Sequence, residues 1–383
     1  MLSCWNAERH SEMAPEKHAL LSASAAHRWL NCPPSAQLCA AIPDTVSPYA
    51  EEGTQAHALC EALLNEAIAR AQGKWTGWTL PYTDEMLEAA SGYRDYVLEA
   101  VKDMDDPQIC VEQVVNFSQW APEGFGTVDC LAVGGDTMKI FDFKYGQGVE
   151  VYADWNPQML CYALGGLAMF SPIYNIANID LTIYQPRRNH ISTFSLTTAE
   201  LLIWAKDTLE PAAQQAYKGE GTFQPGEWCR FCKAKATCRA LTAKNMELAQ
   251  LEFPEPIGMS SAEIASVLPK LDMLLDWASS VKDYALDQAL AGRKFPGYKL
   301  VEGRSNRRFK SEADACFRIK EAGFNPYITK MKGITELQKD MDRKQFEEVC
   351  GGLLEKPAGK PALVPVSDKR PEMDLSAAAD FND

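Results

Sequence analysis

The stretch that decides the fold is residues 126–146, which reads GTVDCLAVGGDTMKIFDFKYG. Two apolar runs of strand length flank a Gly-Gly-Asp turn, and this pattern predicts a β-hairpin. If Gly135 and Asp136 are the two loop residues, Asp129 lies directly across from Asp142. Such cross-strand partners are about 4.5–5.5 Å apart at Cβ.

The predicted hairpin brings two carboxylates and one ammonium group into a small volume, because Lys144 projects from the same strand face as Asp142. At an effective dielectric constant near 20, two carboxylates about 4 Å apart repel each other by about 4 kcal/mol. A divalent cation between Asp129 and Asp142 would relieve that repulsion. This stretch alone leaves a second interpretation open, a plain hairpin with exposed charges and one Asp–Lys pair.

Length and composition indicate a globular protein with a sizeable core. The chain has 383 residues, of which 46% are hydrophobic, enough for two or three domains. It has no apolar run of about 18 residues and no apolar signal segment near its start, so we expect a cytoplasmic protein. Twelve cysteines in that compartment favour metal ligation or burial over disulfides.

The net charge of −14 opposes non-specific nucleic-acid binding by the whole surface. Any DNA contact must therefore use local basic patches, and the sequence contains two of them. Residues 228–245 carry lysines and arginines with no acidic residue, and residues 291–310 carry seven lysines and arginines against Glu302 alone. The second patch supplies the candidate DNA-binding residues Arg304, Arg307 and Arg308.

Two elements before the hairpin carry polar residues of interest. Residues 51–72 predict a helix with His57 and Glu61 on one inward face. An inward histidine is more often a core residue than a ligand, but a nearby metal site reverses that balance. Residues 110–117 predict a strand. Its Glu112 can reach a metal site, although we favour a half-exposed strand position.

After the hairpin, Asn156 and Pro157 predict the N-cap and first position of a helix. Gln158 and Tyr162 lie four residues apart on this otherwise apolar helix, either as an exposed pair or aimed at a ligand. The remaining predicted elements are strands over 178–185 and 191–196, and helices over 198–217, 241–291 with a break at 254–256, 311–322 and 334–349.

Cys229, Cys232 and Cys238 form a tight thiolate cluster with Cys-x2-Cys spacing and a third cysteine six residues later. Four-coordination requires one more ligand. Cys32 is the best candidate, because it lies at the end of a predicted short helix, before two prolines. Four thiolates indicate zinc or an iron–sulfur cluster, and the spacing serves both.

The order of these motifs resembles the RecB-type branch of the PD-(D/E)XK nucleases. Within that branch it is most similar to iron–sulfur members, namely the AddB nuclease domain and the CRISPR-associated RecB-like exonucleases. The matching residues are Cys32, then Gly53, His57 and Glu61, then Gly126, Val128 and Asp129, then Asp142 and Lys144, then Gln158 and Tyr162, and finally Cys229, Cys232 and Cys238. Asp142 stands where many relatives have glutamate.

The motifs cover residues 22–240. The whole chain also resembles an uncharacterised family from phage and prophage replication modules, domain of unknown function 2800. These resemblances imply an α/β (α+β) fold with a PD-(D/E)XK restriction-endonuclease-like core, in which helices flank a mixed sheet, followed by a mainly helical C-terminal extension. The expected organisation is a flexible tail over 1–17, a nuclease domain over 18–245, a helical extension over 246–350 and an extended tail over 351–383.

The resemblance also implies a metal site. His57, Asp129 and Asp142 would bind Mg²⁺ or Mn²⁺, with the Phe143 carbonyl completing the set. Lys144 would orient or help deprotonate the attacking water and stabilise charge on the phosphate.

Further roles follow from the same resemblance. Gln158 and Tyr162 would position the DNA strand, and Glu61 would hold the His57 ring from the outer shell. Cys32, Cys229, Cys232 and Cys238 would hold a structural 4Fe–4S cluster, with zinc as the alternative.

The expected function is that of a metal-dependent deoxyribonuclease, an exonuclease on single strands or duplex ends in phage or bacterial DNA replication or recombination. Phage replication or recombination proteins are the expected partners. The alternative is a non-catalytic DNA-binding recombination accessory protein, which the basic segment 291–310 would suit. A zinc-stabilised structural protein would leave the aspartates and Lys144 unexplained. No G-x4-G-K-(S/T) motif occurs, which argues against nucleotide-driven translocation.

Overall fold

A five-stranded mixed sheet forms the centre of the fold in the computed structural model of the chain. The strands lie side by side in sequence order. The β3–β4 pair is parallel and the other neighbouring pairs are antiparallel. The strands are β1 (Gln108–Asn116), β2 (Phe125–Gly134), β3 (Thr137–Phe143), β4 (Asn178–Gln185) and β5 (His190–Thr197).

Helices account for most of the described residues outside the sheet, and some of them pack on its two faces. They are α1 (Ala26–Asn31), α2 (Ser35–Ala40), α3 (Pro48–Ala71), α4 (Asp84–Val101), α5 (Pro157–Phe170), α6 (Thr198–Trp204), α7 (Glu210–Lys218), α8 (Arg239–Ala249), α9 (Ser261–Leu290), α10 (Glu312–Glu321) and α11 (Arg343–Cys350). The predicted mixed sheet with flanking helices and a helical C-terminal region is therefore confirmed.

The structure describes residues 19–43, 48–71, 73, 80–249, 260–301, 310–327, 332–333, 337 and 343–354. The predicted DNA-binding residues Arg304, Arg307 and Arg308 lie outside these ranges, as do the tail over 1–17 and residues 355–383 of the predicted extended tail. The chain divides into two compact units, Met1–Gly303 and Arg304–Asp383.

The β2–β3 hairpin has the predicted register. Gly134 pairs with Thr137, so Gly135 and Asp136 form the two-residue loop, with Gly135 in the left-handed region at φ +58°. The paired residues end at Cys130 and Phe141. One further step along this register places Asp129 opposite Asp142.

The two faces of the sheet bury separate clusters of side chains, because neighbouring strand residues point to opposite faces. Phe141 and Phe143 pack with α3 and α4 on one face. Ile140 and Leu131 pack with α5 and the segments around α1, α6 and α7 on the other. The parallel β3–β4 pair requires a crossover connection, and α5 provides it.

α5 begins as the sequence predicts. The Asn156 side chain accepts hydrogen bonds from the N–H groups of Gln158 and Met159, and Pro157 occupies the first turn. α5 then packs very close to the sheet at two glycines. A Cβ atom on Gly165 would lie 2.7 Å from the Val115 Cβ.

The helices after the sheet also follow the predicted pattern. The helix predicted over 198–217 is formed by α6 and α7, joined by one π turn over Ala205–Leu209. In α8 and α9 the chain is helical on both sides of the predicted break. α9 contacts the cysteine-rich segment, where Asp276 pairs with Lys235 at 2.9 Å.

The second compact unit contains the described helices α10 and α11. The tail predicted to be extended from residue 351 begins instead with a 3-10 turn over Gly351–Leu353. In the described part of the chain, no helix combines the length and apolar character that a membrane span requires.

The substitution Gly165→Ala should destabilise the protein, because the added methyl group would force α5 away from β1. Overpacking of this kind costs about 1–3 kcal/mol. Urea unfolding followed by circular dichroism should show a lower midpoint. Gly146→Ala is the control, since a Cβ there meets no atom within 4 Å. Equal midpoints for the two variants would contradict the close packing.

Candidate functional site

The charged residues of the hairpin lie at the edge of the sheet where β3 ends, beside the middle of β2. α3 brings His57 to this edge, and the first turn of α5 brings Gln158. The site therefore combines residues from three separate parts of the chain.

The Asp129 carboxylate joins α3 to β3. Its Oδ1 lies 3.2 Å from Nδ1 of His57, and its Oδ2 accepts the Phe143 backbone N–H at 2.6 Å. The His57 ring also makes an edge contact with the Phe143 ring at 5.5 Å between centroids. Burial lowers the pKa of His57, but the Asp129 hydrogen bond and the nearby carboxylate charges outweigh it, so the pKa is raised.

Asp142 is almost fully buried and forms an ion pair with Lys144. Lys144 Nζ donates to Asp142 Oδ1 at 3.1 Å and lies 2.9 Å from Oδ2. Asp142 Oδ2 is buried, and the Lys144 ammonium group is its ion-pair partner. Burial raises the pKa of Asp142. Burial lowers the pKa of Lys144, but the Asp142 and Asp129 carboxylates outweigh it, so Lys144 stays protonated at neutral pH.

Gln158 completes this polar group. Its Nε2 donates to Asp142 Oδ1 and to the Tyr162 hydroxyl, each at 3.0 Å, and its Oε1 accepts from Lys144 at 3.2 Å. Tyr162 is only 5% exposed. Tyr162 therefore fixes the Gln158 amide rather than presenting its own ring at the surface. The predicted role of both residues in positioning DNA stays a prediction.

Glu112 belongs to the site, although sequence reasoning favoured a half-exposed strand position for it. The side chain is half-buried, as expected, but it also reaches the site. Among the described residues, donor atoms of His57, Glu112 and Asp129 lie within 4.8 Å of one another. This is a set of one imidazole and two carboxylates, suited to Mn²⁺ or Mg²⁺.

The backbone at Glu112 is unusual, with φ at +48°. The pairs on either side, Val111 with Cys130 and Gln113 with Val128, place it opposite Asp129. Left-handed backbone at a non-glycine residue often occurs at functional sites. Burial, together with the Asp129 charge, raises the pKa of Glu112 to about 7. The sequence shows an acidic residue in the strand before the hairpin, but the pairing register of that strand with β2 could not be predicted from the sequence.

Glu61 lies one helical turn after His57. No hydrogen bond joins it to the imidazole ring in the part of the chain that the structure describes, and its charge acts on Glu112 instead. The predicted role of Glu61 in holding the His57 ring stays a prediction, as does the metal contact of the Phe143 carbonyl.

The four predicted cysteine ligands line one cavity of the first unit. Cys32 lies between α1 and α2, and Cys229, Cys232 and Cys238 lie in and beside the short turns before α8. Arg28 and Lys235 line the same cavity, and the Arg28 charge lowers the pKa of the nearby Cys39 thiol. Sequence reasoning therefore brought together residues almost 200 positions apart.

A fifth thiol, which sequence reasoning missed, contacts one of these four cysteines. Cys39 in α2 is buried, and its sulfur lies 3.6 Å from the Cys232 sulfur. The hydrogen bond with Cys232 lowers the pKa of Cys39 to about 5 and raises that of Cys232. No three of the described cysteine sulfurs lie within 4.8 Å of one another. Four thiolates on a single zinc ion would all be about 3.8 Å apart, given zinc–sulfur bonds near 2.3 Å.

A family model described as "Protein of unknown function (DUF2800)" matches residues 18–371. The chain belongs to this family, which confirms the resemblance of the whole chain. A solved structure titled "Crystal structure of SSO0001" is similar over 61% of this chain and 92% of that chain, with 12% identity and a TM-score of 0.28.

The substitution Glu112→Gln should weaken Mn²⁺ binding by about tenfold or more, since even an outer partner of a metal ligand contributes 10- to 100-fold. The wild type should also bind Mn²⁺ more weakly as pH falls through about 7, because the metal must displace the Glu112 proton. Calorimetric titration at several pH values would measure both effects. Glu123→Gln is a matched control, being another glutamate at positive φ, in the β1–β2 loop.

Glu112→Gln should weaken Mn²⁺ binding, but it should stabilise the metal-free protein. The raised pKa of Glu112 means that the folded state loses stability as pH rises from the unfolded value towards 7. Glu112→Gln removes this loss, so the variant should melt above the wild type at pH 8 and near it at pH 5. A variant that binds Mn²⁺ as tightly as the wild type would exclude Glu112 from the site.

Proposed function

We propose that the protein is a metal-dependent deoxyribonuclease of the PD-(D/E)XK type, an exonuclease that hydrolyses single strands or duplex ends. The observation that carries the proposal is the convergence of Asp129, Asp142 and Lys144 with His57 at one sheet edge. A structural hairpin needs no buried aspartate beside a second carboxylate, and no histidine from a distant helix. The predicted role in phage or bacterial DNA replication or recombination rests on this activity.

The donor atoms at this edge fit a divalent cation. His57, Glu112 and Asp129 present one nitrogen and two carboxylate ligands at short mutual distances. Asp142 adds a buried carboxylate beside this set, held in an ion pair with Lys144. When bound, Mg²⁺ or Mn²⁺ would lower the pKa of a water molecule and polarise the scissile phosphate.

Lys144 would stabilise charge in this reaction. Its raised pKa keeps the ammonium group protonated at neutral pH. Asp142 and Gln158 hold Nζ in place from two sides. A fixed positive charge beside the phosphate stabilises the charge that develops as water attacks. The same contacts allow Nζ to orient that water.

Gln158 would set the geometry of this group. Its amide links Asp142 to Tyr162, so the carboxylate and the ammonium group keep one arrangement. Preorganisation of this kind lowers the reorganisation that the reaction requires. Tyr162 acts here through Gln158, as a positioning residue.

The cysteine cavity supports a 4Fe–4S cluster better than zinc. Its four thiols line a common space, yet no three of the described sulfurs approach within 4.8 Å, as a single tetrahedral ion would require. A polynuclear cluster holds its ligands farther apart, because each thiolate binds a different iron. Its proposed role is structural, linking α1 and α2 to the segment before α8.

The substitution Lys144→Ala should lower metal-dependent cleavage of end-labelled DNA by about 10²–10³-fold, the usual effect of losing one charge-stabilising group. Lys139→Ala is a matched control, since Lys139 lies on the same strand and pairs with Asp180 at 3.0 Å. Cleavage by Lys144→Ala at the wild-type rate would exclude the site. An intact, metal-loaded wild type that binds DNA without cleaving it would favour the accessory-protein alternative.

The substitution Cys232→Ala should remove the brown colour and most of the iron from protein purified without oxygen, and it should lower the melting temperature. Cys39→Ser should keep the iron, because Cys39 contacts Cys232 while four other thiols line the cavity. Cys316→Ser, in α10, is a further control. Elemental analysis of each variant provides the measurement. A colourless wild type that contains zinc would favour the zinc alternative.

A further inference from the structure

The 146–155 loop, which joins β3 to α5, presents aromatic rings beside the proposed site. Trp155 is 46% exposed and Tyr152 is 40% exposed. Each ring rests on a side chain of β5, Trp155 on Phe194 at 5.5 Å between centroids and Tyr152 on His190 at 4.9 Å. These four rings are called the aromatic platform below. Tyr162, by contrast, is buried and cannot offer its ring to a ligand.

The loop that carries the platform is anchored to the sheet by polar contacts. The Gln185 amide bonds the backbone at Val149 and Val151, at 3.0 and 2.7 Å. The Ala153 N–H donates to the Ser192 hydroxyl at 2.9 Å. The exposed rings therefore have fixed positions, which reduces the entropy lost when a ligand binds.

Trp155 has a backbone conformation that its size does not favour. Its φ is +46°, in the left-handed region, which is rare for a bulky residue. Such backbone persists where the surrounding structure enforces it, and it clusters at ligand-binding sites. The next residue is Asn156, the N-cap of α5, and Gln158 follows two residues later. The exposed ring is thus only three residues from a side chain that contacts Asp142 and Lys144.

His190 of the platform lies at the same end of the sheet as the proposed site, and Phe194 lies level with Ile140, two residues before Asp142. The Lys144 N–H donates to the Tyr184 carbonyl of β4, and neighbouring Gln185 pairs with His190 at the start of β5. β5 is two strands away from β3, so about 10 Å separate the β5 residues from the strand that carries Asp142. A strand of nucleic acid can span that distance.

The rings of the platform suit the exposed bases of a nucleic acid, and the Glu150 carboxylate beside them is bound by Arg188 and by the Tyr152 hydroxyl. Arg188 lies at the same edge, where it donates to the carbonyls of Gln147 and Gly148 and pairs with Glu150. Stacking on aromatic rings is the usual means of holding single strands, because every unpaired base has an open face. A duplex keeps its bases stacked on each other and offers no such face.

We propose that the aromatic platform stacks the bases of single-stranded DNA next to the proposed catalytic site, with Trp155 as its main contact. The inference rests on the proposed function and deepens it, because it names the single strand as the form of DNA that the site receives. Trp155 and Tyr152 hold bases, while Lys144 and the metal ligands act on the phosphate.

The test uses the full chain with Lys144→Ala, so that binding is measured without cleavage. Trp155→Ala in this background should weaken binding of a labelled oligothymidylate by about tenfold, as loss of one stacked base does. Trp155→Phe should keep most of the affinity, and duplex binding should not change. Tyr217→Ala is the control, since Tyr217 is also partly exposed and donates to Glu123 on another surface. Fluorescence anisotropy gives the affinities.

An oligonucleotide with abasic sites separates stacking from a structural effect. If Trp155 stacks bases, the abasic strand should bind equally to the parent protein and to Trp155→Ala. Equal losses for the single strand, the duplex and the abasic strand would overturn the proposal. So would unchanged DNA binding with a change in self-association by sedimentation, which would assign the surface to a second copy of the chain.

The outcomes also separate this inference from the proposed function. If the wild type cleaves DNA but binding does not depend on Trp155, the proposal of base stacking is wrong and the proposal of nuclease activity stands. If binding depends on Trp155 but the metal-loaded wild type does not cleave DNA, the proposal of base stacking stands and the proposal of nuclease activity is wrong.

Discussion

The constraint on which the site depends is the two-residue loop of the β2–β3 hairpin. Because Gly135 and Asp136 alone make the turn, the strand register is fixed, and it brings Asp129 opposite Asp142. A slip of one residue would move one carboxylate to the other face of the sheet. The hairpin thus concentrates negative charge at a buried edge, where Lys144 offsets only part of it. The neighbouring groups His57, Lys144 and Gln158 each contact one of these two carboxylates.

The close packing of α5 keeps the neighbouring groups in place. Gly126, at the start of β2, has no side chain, and a Cβ there would lie 2.9 Å from the Tyr162 ring and 3.1 Å from the Ala23 methyl group. The motif glycine therefore allows Tyr162 to lie against the strand. Tyr162 in turn fixes Gln158, which bonds both Asp142 and Lys144. A residue three positions before the first aspartate thus helps to set the arrangement of the charged groups.

Local rules determine several features that sequence reasoning predicted, whereas packing between distant segments determines the features that it missed. The hairpin register follows from loop length, and the start of α5 follows from Asn156 and a proline. The position of Glu112 depends on the irregular β1–β2 connection, which leaves that register unspecified. The contact of Cys39 with Cys232 depends on how α2 packs against a segment almost 200 residues away. Burial of Tyr162 could not be predicted from the sequence, because α5 is apolar on nearly all sides and its pattern does not show which side faces the core.

The cysteine cavity is connected to the proposed catalytic edge by the packing of α1 and the turn before it. Holding Cys32 beside Cys229 closes a loop of almost 200 residues, whose entropy cost grows only with the logarithm of its length. A group bound by both segments would fix α1 and the Ala23–Ala25 turn before it. That turn lies against Gly126, which also contacts the Tyr162 ring. A cluster far from the metal ligands can therefore stabilise the proposed site without taking part in the chemistry, by holding the surface on which Tyr162 packs.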